Sequence, residues 1–144
     1  MTITQAVCNS FKQELLGAQH NFTTSTGHSF KMALYPSAST LDATNTVYTA
    51  TGEHASTGTY VAGGKALVID SGSPGLTSGT GWADFFDLTW ASSTITAGGA
   101  MIYNTSSSNK ACVVLSFGGD KSSSAGDFTV VFPATGATAI IRIA

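Results

Sequence analysis

Residues 82–132 read WADFFDLTWASSTITAGGAMIYNTSSSNKACVVLSFGGDKSSSAGDFTVVF, a series of apolar, β-branched and aromatic runs separated by clusters of Ser, Thr, Gly and Asn. Runs of this length and composition bury one or both faces of a strand, and no long helical period lies between them to supply the crossovers of a parallel sheet. An antiparallel β domain follows. Its turns contain hydroxyls and glycines where an enzyme would place clustered carboxylates, histidines or cysteines, so the sequence points to a chain that packs or binds and is not an enzyme. At 144 residues a single domain spanning 1–144 is expected.

Strands are predicted over 29–35, 65–70, 82–90, 94–103, 110–117, 127–132 and 138–143. The connections 104–109 and 118–126 are short enough for hairpins between antiparallel neighbours. Gly98 and Gly99, inside a predicted strand, mark a bulge or the close approach of another backbone. In SFKMALY, Phe30, Met32 and Leu34 alternate with Lys31, Ala33 and Tyr35, and Pro36 closes the run because it lacks the N–H for a ladder bond. Residues 72–81, rich in Gly and Ser, read as a loop. Alternation in 82–90 places Trp82, Asp84, Phe86, Leu88 and Trp90 on one face, which requires Asp84 to lie at a rim or to be hydrogen-bonded. The architecture predicted is a two-sheet antiparallel β-sandwich, jelly-roll-like.

Ahead of these strands, Thr2 with Gln5 resembles a capping box. Ile3, Ala6, Val7, Phe11, Leu15 and Leu16 then fall at helical spacing, and Gly17 supplies a stop. One amphipathic helix within 1–17 is predicted, with Asn9, Lys12, Gln13 and Glu14 facing water. Residues 36–64, dominated by Ser, Thr, Ala and Gly, are expected to form an exposed, loop-rich excursion with one or two short edge strands. The residues assigned to a contact surface are Ile3, Val7, Phe11 and Leu15 on the helix, with Tyr48 and Tyr60 in the excursion.

Charged residues make up only 10% of the chain, against about 25% in an ordinary soluble domain. Ser and Thr together number 39. A surface this neutral suits a subunit that is covered in an assembly. With six Lys and Arg in all and a net charge of −2, there is no basic stripe for nucleic acid. No apolar run approaches the ~20 residues of a membrane span, and the N-terminus lacks the pattern of a signal peptide. Cys8 and Cys112 are read as reduced and apolar. His20, His28 and His54 lie in polar contexts without metal-ligand spacing and are expected at the surface, and Asp120 and Asp127 as turn residues. No metal or cofactor is expected. Asp84 and Asp87 are too poorly aligned on a strand for an acid/base pair, no nucleophile elbow is present, and no glycine loop leads into a phosphate-binding helix. Trp82, Trp90, Tyr48, Tyr60 and Tyr103 are assigned to packing or an interface ahead of sugar stacking.

The phrases QAVCNSFKQELL, FKMALYPSASTLDATNTVYT, DLTWASSTITAGGAMIYN and SSSAGDFTVVFP resemble a family of small structural proteins of tailed bacteriophages, notably phages of cyanobacteria and other aquatic bacteria. The resemblance spans most of the chain and contains no catalytic motif. It implies a virion component, assembled in the host cytoplasm. The reading placed first is a capsid cement (decoration) protein on the capsid exterior, bound to the major capsid protein and to itself as a homo-oligomer, a trimer. A tail, collar or fibre-attachment subunit is the alternative, and a carbohydrate-binding module for the host surface a further one. If the helix is the docking element, removing residues 1–16 should leave a soluble β domain that no longer binds shells.

Overall fold

The computed structural model describes residues 2–144. With 42% strand and 6% helix, it is an antiparallel β-sandwich carrying one N-terminal helix. In chain order the elements are β1 (Ala6–Val7), α1 (Asn9–Leu16), β2 (Phe30–Tyr35), β3 (Lys65–Ala66), β4 (Gly75–Thr77), β5 (Thr80–Ala83), β6 (Leu88–Ser93), β7 (Thr96–Asn104), β8 (Lys110–Ser122), β9 (Gly126–Val130) and β10 (Ile141–Ile143). They form sheets of five (β1-β8-β7-β2-β3), three (β10-β5-β4) and two strands (β6-β9), and every named pairing is antiparallel.

β7 and β8 form the central hairpin. Its turn places Ser108 and Asn109 in the left-handed region, a conformation that a short polar residue such as Asn tolerates. From Ala97 to Asn104 every residue of β7 is buried, because both faces of the five-stranded sheet are covered. On the side of Ala33 and Met101, Tyr48 stacks on Tyr103 and Tyr35 Oη donates to Thr49 O at 2.6 Å. On the side of Phe30 and Met32, Phe30 stacks on Phe22 at 4.5 Å and meets Phe85 edge-on at 5.7 Å. The close approach expected at the double glycine is present. A Cβ on Gly98 would sit 2.5 Å from Ser37, and one on Gly99 would sit 2.4 Å from Leu115 O. The register also slips here, with Ala97 opposite Lys121 but Gly99 opposite Ser116.

Four expectations need correction. The helix covers Asn9–Leu16 only, behind Cys8, which makes no side-chain cap. Ile3 instead bridges Leu41, and Ala6 and Val7 pair with Val114 and Val113 of β8. The Ile3, Ala6, Val7 spacing thus belongs to extended chain drawn onto the sheet edge, where backbone pairing outweighs a short helix's weak propensity. Met1 lies outside the described residues. Second, residues 36–64 contain no strand of their own and are not a wholly exposed excursion: Leu41 and Tyr60 are fully buried and Ser39 nearly so. Third, 118–126 is not a hairpin turn. β8 continues through it to Ser122 against β7, and β9 crosses to pair with β6. Fourth, 72–81 contains the β4–β5 hairpin, while 82–90 is not one strand: it breaks at Asp84. The buried Asp84 makes hydrogen bonds, its carboxylate accepting Phe85 N–H at 2.9 Å and its own N–H donating to Ser73 Oγ at 2.8 Å.

A candidate binding cleft

The three-stranded sheet is assembled from a tight hairpin. Ser78 and Gly79, with φ of 50° and 81°, reverse the chain between β4 and β5, and β10 returns to the other side of β5. Register sets which side chains share a face. Ile143 lies opposite Gly81, Gly81 opposite Leu76, and Ile141 opposite Ala83. Trp82 points to the other face and lies flat over Gly75, where a Cβ would stand 2.2 Å from its ring. Its Nε1 donates to Thr77 Oγ1 at 3.1 Å. Only a glycine leaves the indole this position.

A cleft of about 410 Å³ opens where this sheet faces the end of α1 and the connector that follows. Trp82, Ile141 and Ile143 of the sheet and Leu15 and Phe22 of the helix and connector contribute to its lining, and Asn21 and Thr23 supply polar groups. Its size and mainly apolar lining match a site that holds an apolar side chain or small ligand by burial. Ile143 of the lining is 61% exposed, and Leu16 and Leu76, next in sequence to the lining residues Leu15 and Gly75, are 91% and 77% exposed.

Beneath the cleft lies a polar centre. His20 donates from Nε2 to Glu14 Oε1 at 3.0 Å, Lys110 Nζ is 3.2 Å from Glu14 Oε2, and Asn104 Nδ2 is 3.0 Å from His20 Nδ1. His20 and Glu14 are therefore buried, contrary to the surface positions predicted for them. Both are long polar side chains whose groups find partners within the fold, which removes the penalty of burial. Cys8 and Cys112 are adjacent through a backbone hydrogen bond of 2.9 Å, and both are free and buried. Burial pushes the Cys8 thiol up to about 11 and the Cys112 thiol higher still, with Glu14 adding to both shifts.

A second polar centre fastens residues 36–64. Glu53 accepts Tyr48 Oη–H at 2.5 Å, Tyr60 Oη–H at 2.7 Å and Gly63 N–H at 2.6 Å. Tyr60 Oη in turn accepts Leu34 N–H at 2.9 Å, and Tyr103 donates to Gly63 O. Desolvation raises all of these phenols, Tyr103 to about 12, and the Glu53 carboxylate raises them further. Among the described residues, no group of three or more His, Cys, Asp and Glu could hold a metal ion, and no helix is long and apolar enough to cross a membrane.

The six residues assigned to a contact surface do not share one. Ile3, Phe11 and Tyr60 are buried, Phe11 against His20 and Phe22, because their large apolar area is worth more inside the fold than on its outside. Val7 is half-buried in β1, and the half-buried Tyr48 is tied to Glu53. Leu15 alone of the six borders the cleft. Leu76 and Ile143 were legible only as apolar residues in a glycine-rich loop and a C-terminal strand. No family model, curated protein or solved structure matches the chain.

Proposed function

We propose that the chain is a structural subunit of a phage particle, of the capsid cement type, which stabilises a shell by burying area against the major capsid protein and against copies of itself. The observation that carries this reading is the exposure of large apolar side chains on a chain with few charges. Leu16, Leu76, Val131, Val61, Val68 and Ile143 are each more than 60% exposed. Covering an apolar side chain contributes about 1.5–3 kcal/mol, so a few such contacts repeated over a shell add stability without a covalent step. The resemblance in the sequence suggests a phage particle without assigning a place in it, and the capsid exterior is part of the cement reading. A tail or collar subunit differs from cement in copy number and symmetry alone.

Co-sedimentation of the purified chain with shells lacking it tests the reading. Binding should be saturable, and Leu76→Ser with Ile143→Ser should reduce it at least tenfold. A chain that leaves shells unbound at micromolar concentration overturns the proposal. A host-glycan module is the second reading, favoured by the half-exposed Trp82 in the cleft. It predicts a change in Trp fluorescence on titration with host glycans, and a flat titration removes it.

A further inference from the structure

Asn104 ends β7, fully buried, and the backbone fixes the orientation of its amide: Ser106 N–H donates to Asn104 Oδ1 at 3.0 Å. The two hydrogens of Nδ2 are then directed at two rings, His20 Nδ1 at 3.0 Å and His28 Nδ1 at 2.9 Å. An amide nitrogen only donates, so each Nδ1 must present a lone pair, and both histidines are held neutral with the proton on Nε2. For His20 that proton goes to Glu14 Oε1.

We propose that Asn104 is a proton-sensitive latch. Protonating Nδ1 of His20 or His28 sets N–H against N–H and releases the connector 18–29 from the end of β7. Turning the amide over does not rescue the contact, because Nδ2 would then face Ser106 N–H. Imidazole changes charge between about pH 5 and 8, so the latch opens on mild acidification. From α1, Glu14 Oε1 accepts from His20, and its other oxygen is engaged by Lys110 of β8. Also from β8, Cys112 Sγ lies 3.7 Å from His20 Nδ1, and its thiol, like that of neighbouring Cys8, stays protonated and uncharged because burial raises it. At His28 the ring's hydrogen-bond partner is Asn104. The connector forms one wall of the cleft, through Ala18, His20, Asn21, Phe22 and Thr23, so the latch sets the cleft's shape. This inference rests on hydrogen-bond geometry and stands apart from the assembly reading.

Nitrogen-15 NMR of the full chain at pH 7.5 should show His20 and His28 as Nε2–H tautomers with bare Nδ1. Hydrogen exchange of the connector amides, corrected for intrinsic rates, should quicken by about tenfold at pH 5.5, the effect of one unit of proton linkage, while the β7–β8 amides hold. Asn104→Asp keeps the acceptor for Ser106 N–H and offers the rings a carboxylate, so acidification should slow the connector's exchange in this variant. Nδ1-protonated rings at pH 7.5, or an acid response identical in wild type and variant, overturns the proposal. If Asn104→Asp does not fold, the wild-type tautomers decide it.

Discussion

In the five-stranded sheet, β7 is buried on both faces from Ala97 to Asn104, and its neighbours are covered by residues 36–64 on one side and by aromatic side chains on the other. In the three-stranded sheet, Leu76 of the β4–β5 hairpin is 77% exposed and Ile143 of β10 is 61% exposed. The difference teaches that the same strand chemistry serves two ends. Where loops and aromatics close over a sheet, its apolar side chains hold the fold. Where no described residue closes over them, they are exposed to solvent and open to contact with another molecule.

The largest expected effect lies in the covered region. Phe11→Ala removes a ring packed against His20 and Phe22 and should cost about 3–5 kcal/mol in denaturant unfolding. By the same argument, removing residues 2–16 should leave a chain that fails to fold, since Ile3, β1, Cys8 and Phe11 belong to the core. A stable, soluble truncation would show that the two regions are less different than drawn here.

Next comes Glu53→Gln, which replaces a carboxylate that accepts from Tyr48, Tyr60 and Gly63 by an amide that leaves a donor unpaired. A loss of about 1–3 kcal/mol is expected, with faster hydrogen exchange confined to residues 36–64. Exchange that quickens across the whole sheet would mean that Glu53 holds more than its own cover.

Asp84 gives a smaller effect with a definite sign. Burial raises its carboxyl above 3.8, so the folded state retains the proton longer than the unfolded one. Its contribution is therefore full below the unfolded value and is lost as pH rises through the folded one. Asp84→Asn should raise Tm by about 2–4 °C at pH 7 and lose that advantage near pH 3.5. An advantage independent of pH would assign the gain to another cause. Smallest of all, Leu76→Ser and Ile143→Ser should each shift stability by no more than about 0.5 kcal/mol, because neither contributes much to the core. A large loss would move the three-stranded sheet into the folding core.

The strands were readable in the sequence because β7 and β8 carry apolar runs and β2 alternates Phe30, Met32 and Leu34 with Lys31, and a run such as Ala-Met-Ile-Tyr between glycines and a polar turn has few other uses. The start of the chain was not. Ile3, Val7, Phe11 and Leu15 fit a helical period, yet the first two are bound by backbone partners at Leu41 and Val113 that no local pattern reveals. The polar centres were hidden for a related reason. His20 and Asn104 are 84 positions apart, and only the fold makes one the partner of the other. Leu76 gave a weak signal, an apolar residue within a glycine-rich segment.

If the chain is, as proposed, a repeated structural part of a phage particle, quantitative mass spectrometry of purified virus particles from its source tests that most directly. The account predicts peptides of this chain in a simple stoichiometric ratio to the major capsid protein. Absence of the chain from the particles would contradict it.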